Sequence, residues 1–354
     1  MKPSVPLPEI LATTTQRGIL DPLAPPQLSD DLRASFGHAG HAGQHAPLIA
    51  EPQARTVATV GIGCRLPGGI TNSDGRECSP RISRHWGENM ECGLQFAVLG
   101  TLRISAKGAP IGAGGITQRA VLAYLLLNSN KVVPNSQMLN AIWHDDPPLT
   151  ARKMVHNSVA AIRKMLATHA RGADAPALVT QPPGYQLHVD HDSVDLHLFR
   201  RLVALGRADL DAGQPVAARR RLRQGLDLWR GRALADLVES GAYWPELAAI
   251  EDERISAYED YFAAELACGR HREITPELKV LTAAEPLRES LVEMYMVALY
   301  RSGRQVEALD VFRHTREALL DGLGVEPGPA LQRQYQLILV HDSSLQVEAL
   351  GRSA

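Results

Sequence analysis

The stretch TARKMVHNSVAAIRKML, Thr150 to Leu166, decides how the chain folds. Val155, Val159, Ile162 and Leu166 recur in it at i, i+4, i+7 and i+11, which lays one apolar stripe along a helix. Off that stripe stand Arg152, Lys153, His156, Asn157, Ala160, Arg163 and Lys164, and none of them is an acid. Thr150 offers a hydroxyl as N-cap. After the helix and a loop at 171–175 come Leu178-Val179-Thr180, the turn Pro182-Pro183-Gly184-Tyr185, and Gln186-Leu187-His188-Val189, the pattern of a β-hairpin.

Upstream, Leu94 to Gly100 and Thr101 to Ile104 read as short strands, with turn signals at Gly108-Ala109-Pro110 and Gly112-Ala113-Gly114-Gly115. Thr117 to Leu127 is apolar nearly all round and predicts a buried helix. A second helix is expected through Met138, Leu139, Ile142 and Trp143, with Asn135 and Ser136 as capping residues and Pro147-Pro148 as its stop. Trp143 is read as core. The order is a small antiparallel sheet, three helices and a C-terminal hairpin, which is a winged helix-turn-helix over residues 93–190. On such a fold Arg152, Lys153, Arg163 and Lys164 suit phosphate contacts, while His156 and Asn157 can reach base edges in the major groove. The competing reading of the same face is a plain solvated helix surface. Tyr185 either stacks outward from the wing or packs on the sheet, and packing is the favoured fate.

From Asp195 to Val340 the pattern is almost wholly helical. Gly213, Gly269 and Gly303 are each followed at +5 by Ala218, Ile274 or Ala308 and at +9 by Leu222, Leu278 or Phe312. Each glycine is expected to end one helix and each apolar pair to key the next against it. The interval from Gly269 to Gly303 is 34 residues, the tetratricopeptide period, but Gly213 to Gly269 is 56, so the array is TPR-like rather than regular. Charge divides at the same boundary. Residues 93–190 hold nine Lys or Arg against four acids, whereas residues 195–340 hold 19 against 23, so only the first part is built to meet a polyanion. The run Arg219-Arg220-Arg221-x-Arg223 accordingly reads as a solvated face of an acidic domain.

With these elements placed, residues 94–190 resemble the OmpR-type winged helix, and 94–340 together resemble the Streptomyces antibiotic regulatory proteins (SARPs). The likeness rests on Phe96 to Gly100, Gln118 to Leu126, Ala141-Ile142-Trp143, the Pro147-Pro148 loop, Val159 to Leu166 and Pro183 to Leu187. Downstream, Asp195 to Phe199, Ala217 to Leu228 with Trp229-Arg230-Gly231, and Leu323 to Leu331 are similar to the family's bacterial transcriptional activation domain. Membership implies a sequence-specific activator of a secondary-metabolite (antibiotic) gene cluster, working in the cytoplasm at the nucleoid. It also implies double-stranded promoter DNA as a partner, a homodimer on direct repeats, and RNA polymerase recruited through its sigma factor and other subunits. The recognition-helix contacts are then Thr150, Arg152, Lys153, His156, Asn157, Ala160, Arg163 and Lys164, with Arg119, Thr180, Gln181 and Tyr185 as further contacts outside that helix or on the wing. Asp145 and Asp146 lie in the loop that faces polymerase in OmpR-type proteins, against the plainer reading of an exposed helix end. Ala161 departs from the family pattern, which often sets a bulky polar or basic residue near that turn. The alternative from another class is a protein-interaction adaptor whose TPR-like domain binds a partner while the winged helix is only structural.

Enzyme chemistry is not expected, because the chain lacks G-x-x-x-x-G-K-[ST], H-E-x-x-H and G-x-S-x-G. Larger members of the family carry an ATPase segment, for which this chain is too short. Cys64, Cys78, Cys92 and Cys268 form no CxxC pair, and His38, His41 and His45 have no Cys or acid beside them, so no metal or cofactor is expected. No apolar run near the N-terminus suits a signal peptide or a membrane span. Residues 1–92 carry 10 of the 23 prolines and 10 of the 29 glycines, the composition of a disordered extension, and 341–354 read as a tail. Within the extension, Val57 to Ile70 is similar to the opening strand and loop of a polyketide ketosynthase, with no counterpart of the remainder of that enzyme. Met90-Glu91 stands just before the first domain strand, where members of the family commonly begin. A chain starting at Met90 is expected to match the full chain in thermal midpoint, DNA affinity and reporter activation; a loss in any of the three would show that the extension packs on the domains or regulates them.

Overall fold

The computed structural model describes residues 93–144, 146–170 and 175–346. The extension 1–92 with its ketosynthase-like stretch, Asp145, and residues 347–354 lie outside the described residues. Three strands open the chain: β1 (Leu94–Ala97), β2 (Arg103–Ala106) and β3 (Ala109–Ile111), antiparallel in that order. Phe96 faces Ile104 across the first pair, and both are buried. The segment 108–110, expected only as a turn, supplies β3. Lys107 and Gly108 take φ of 50° and 77°, and this two-residue reversal sets Ala109 opposite Ala106.

Helix α1 (Ile116–Leu127) buries every residue from Ala120 to Leu126, as its all-round apolar character requires. Strand β4 (Val132–Pro134) follows, too short to have announced itself in the sequence. Helix α2 (Asn135–Trp143) starts from Pro134 without a side-chain cap. Asn135 instead donates from its backbone N and its Nδ2 to the Pro183 carbonyl, tying the helix start to the hairpin turn. The helix stops at His144, whose φ is 52°, and so ends before Pro147-Pro148. Trp143 packs half-buried against the core. Helix α3 (Ala151–His169) buries Val155, Val159, Ile162 and Leu166 as its stripe predicts. Thr150 occupies the cap position but forms no cap bond, its hydroxyl lying 3.8 Å from Met154 Sδ. Strands β5 (Ala177–Gln181) and β6 (Gly184–His188) make the hairpin, with β6 central in a β4-β6-β5 sheet. The result is a winged helix.

The rest is helical: α4 (Asp195–Asp211), α5 (Pro215–Leu226), the single turn α6 (Ala235–Val238), α7 (Pro245–Ala267), α8 (His271–Ala284), α9 (Glu289–Arg301), α10 (Gln305–Leu323) and α11 (Pro329–Leu339). Gly213, Gly269 and Gly303 close α4, α7 and α9 with φ between 67° and 77° and one shared bond pattern. In each, the glycine N–H reaches back three residues and the next N–H reaches back five, to Asp209, Glu265 and Leu299. Ala218, Ile274, Ala308, Leu222, Leu278 and Phe312 are all buried, so the glycine-keyed pairs do key helix to helix. The long first interval has a cause. Residues 227–244 leave the stack between α5 and α7 and run back against the winged helix. At the other end the expected tail is docked as far as Gln346, with Leu345 buried and its carbonyl accepting from Arg301 Nε at 2.7 Å.

The two parts meet at the loop after β1. Asp195, at the start of α4, accepts from the Val98 N–H at 2.8 Å and the Leu99 N–H at 3.1 Å, with Arg230 beside it at 3.4 Å. Arg230 N–H donates to the Leu99 carbonyl and Leu234 N–H to the Val98 carbonyl. Next to this joint His197 shares a hydrogen bond of 2.8 Å with Ser129. Burial pushes Asp195 up to about 6 against its donors, and burial with His191 and Arg200 pulls His197 down to about 4. The two groups therefore act oppositely on acidification. The stability linked to Asp195 is full below 3.8 and lost as pH rises through about 6; that linked to His197 is full above 6.5 and lost as pH falls through about 4. Relative to the unaltered protein, Asp195→Asn should lose stability on acidification and His197→Gln should gain it. Thermal midpoints recorded between those limits read both slopes, and three parallel profiles would show that neither group titrates there.

Candidate nucleic-acid interface

The exposed face of α3 follows from its buried one. With Val155, Val159, Ile162 and Leu166 turned into the core, Arg152, Lys153, His156, Asn157, Ala160 and Lys164 are left exposed, while Ala161 is half-covered. Among the described residues, Arg152, Lys153 and Lys164 enter no ion pair. The contrast with the helical part is sharp, because Arg219 pairs with Glu265, Arg221 with Asp209 and Arg223 with Asp227 and Glu277. Three of the four arginines in the α5 run are thus paired within their own domain, whereas Arg152, Lys153 and Lys164 of α3 face solvent.

Arg163 is the exception on α3. It is half-buried, donates from Nε to the Leu178 carbonyl and from Nη to Thr180 Oγ1, both at 2.8 Å, and lies 5.9 Å over the Tyr185 ring. Its guanidinium fastens the helix to the wing. Tyr185 is 8% exposed and forms the floor under that cation, which removes it from the wing contacts and decides its fate as packing. Thr180 and Gln181 stay exposed at the end of β5. The close approach of β6 to β4 requires Gly184, since a Cβ there would stand 1.9 Å from the Val133 carbonyl oxygen.

Arg119 does not belong to this face. It sits on α1 with its guanidinium on Asp236, whose other oxygen accepts the Leu102 N–H at 2.9 Å. Nearby, Trp244 Nε1 donates to the Ala141 carbonyl at 2.6 Å and the indole meets the Tyr124 ring edge-on at 5.2 Å. Reasoning from the sequence missed this whole clasp, which has no local signal because its partners are more than a hundred residues apart. It also missed Leu149, a fully exposed apolar side chain between Pro148 and α3, where the only hint was a leucine among loop residues. Asp146 is exposed in the same loop.

Residues 194–339 match the bacterial transcriptional activator domain, and residues 114–187 match the C-terminal domain of transcriptional regulatory proteins. The regulatory protein DnrI of Streptomyces peucetius is 35% identical over 257 residues, covering 71% of this chain and 94% of DnrI. The chain belongs to the SARP family of transcriptional regulators. The transcriptional regulatory protein EmbR of Mycobacterium tuberculosis is 36% identical over 247 residues, and the chain spans only 63% of its length. A solved structure of EmbR, in complex with a low-affinity phosphopeptide, superposes with a TM-score of 0.66 at 34% identity, covering 70% of this chain and 65% of that one. In this SARP the motif residues Asp195 and Arg230 form the joint between the parts, while Trp229 meets Phe199 edge-on and lies under the Arg254 guanidinium. Arg119→Ala should therefore cost about 1–3 kcal/mol of unfolding free energy in denaturant. DNA affinity and its salt dependence should stay unchanged, and a flattened salt slope would return Arg119 to the DNA face.

Proposed function

We propose that this SARP is a sequence-specific, double-stranded-DNA-binding transcriptional activator that reads promoter direct repeats as a homodimer and recruits RNA polymerase. The observation that carries the reading is the α3 face, on which Arg152, Lys153 and Lys164 stand exposed, without an ion pair among the described residues, around His156 and Asn157. Cations without intramolecular partners suit phosphates, which give affinity, and the amide between them suits a base edge, which gives specificity. Thr150 and Ala160 border the same groove-facing surface, and Thr180 and Gln181 extend it on the wing. Arg163 acts at one remove, holding the wing against the helix. The loop with Asp146, Pro147, Pro148 and Leu149 is the polymerase-facing element, joined directly to the start of the DNA-binding helix. Family membership supports control of a secondary-metabolite gene cluster in the cytoplasm at the nucleoid. Among the described residues no helix is long and apolar enough to cross a membrane.

The test uses the full chain, because the helical part completes the loop after β1. Replacing Arg152, Lys153 or Lys164 by Ala should weaken binding to every sequence alike and lower the log-log salt slope by about 0.9 for each phosphate no longer neutralised. Asn157→Ala should instead erode the preference for operator over random DNA by ~1–3 kcal/mol. Equal weakening of both DNAs by Asn157→Ala would remove its base-reading role. Unchanged binding in all four variants would leave the protein-interaction adaptor as the better reading.

A further inference from the structure

Arg301 closes α9 in a setting unlike that of the other half-buried arginines of the helical part, while Arg220, Arg232, Arg272 and Arg333, which also lack an ion pair among the described residues, are exposed. Arg223, Arg270, Arg288 and Arg304 each hold a carboxylate. Arg301 is half-buried, and it donates to two backbone carbonyls: Leu345 from Nε at 2.7 Å and Leu266 from one Nη at 2.8 Å. Among the described residues it enters no ion pair. Its burial pulls the guanidinium below its ordinary value, with no neighbouring acid to oppose the shift. The side chain lines a cavity of about 470 Å³ together with His271, Tyr300, Gln305, His341 and Gln346, and among the described residues no carboxylate lines it. His271 brings an Nδ1 that is buried without a partner, and burial and Arg301 both hold its imidazole towards the neutral form. A cation taken partly out of water without a counter-charge is costly, and an oxyanion restores what solvent gave.

We propose that this cavity binds a small oxyanion-bearing molecule, a carboxylate or a phosphate, on the Arg301 guanidinium with His271 as a further donor, beside His341 and Gln305, whose bonds to Tyr300, to Ile338 and to each other would be exchanged in part for the anion. Its position explains which part would respond. Arg301 holds the Leu345 carbonyl, so an anion on the same guanidinium pins the turn at 343–345 onto α9 and the start of α10. The site is separate from α3, and its occupancy is readable without DNA.

The experiment titrates the full chain with inorganic phosphate, and separately with acetate, following the thermal midpoint at ionic strength held constant with chloride. One of the two anions should raise the midpoint saturably beyond the chloride control, and which of them does so names the class; saturation by both supports the shared chemistry. His341→Gln, at an exposed position that leaves the fold intact, should weaken the apparent affinity several-fold. Arg301→Lys should weaken it at least ten-fold, and Lys153→Ala, on the DNA face, should leave it unchanged. Equal response in the His341 and Arg301 variants and the unaltered protein overturns the site, as does the absence of any saturable shift. Glu348 follows Gln346 by two residues; if an anion binds only after Glu348→Gln, the counter-charge is the chain's own and the proposal falls.

Discussion

The buried carboxylate of Asp195 settles how the two parts of the chain face each other. Past β1 the backbone turns away from its sheet, and the N–H groups of Val98 and Leu99 have no strand to pair with. Asp195 takes both, and the carbonyls of the same two residues are taken by the backbone of Arg230 and Leu234. The backbone N–H and carbonyl groups of both Val98 and Leu99 are thus satisfied by the helical part, and none could be left bare at such depth without cost. Arg230 offsets part of the charge, yet desolvation outweighs all its partners and keeps the carboxyl well above the usual range. The joint is therefore held by the pairing of backbone polar groups more than by ion pairing. Its geometry fixes where α1, and through it α3, stands.

Charge is handled by opposite rules on the two sides of that joint. In the helical part most cations are matched with acids, often across helices, as Arg200 is with Glu253 and Arg207 with Asp260. On α3 the matching stops, and the unpaired side chains lie opposite a buried stripe long and regular enough to hold them in line. Arg163 shows what pairing would have done, since a guanidinium bonded to Leu178 and Thr180 builds the wing and no longer acts as a free charge.

What could be read in advance were features written into short windows. The stripe of α3 is one; the glycine joints of α4, α7 and α9 are another, because an αL residue after a helix leaves its mark within ten positions. Strand β4 escaped because three residues show no period, and β3 because Gly108-Ala109-Pro110 carries the chemistry of the turn that precedes it. The face of α3 was legible down to individual side chains, except where a second element intervenes. Arg163, Tyr185 and Arg119 all look like free surface in one dimension, and each is claimed by something distant: the wing, the guanidinium above it, or Asp236 on α6.

Residues 227–244 leave the helical array to clasp the winged helix through Arg230, Asp236 and Trp244. In evolutionary terms the clasp turns two modules into one heritable unit. A crossover near residue 190 between two diverged relatives would look harmless on a domain map, yet it would set one parent's α1 and β1 loop against the other parent's clasp. DNA-reading heads cannot be shuffled freely onto activator bodies in such a lineage. On the proposed reading of the α3 face, a new binding specificity has to arise by substitution there, or by moving head and clasp together.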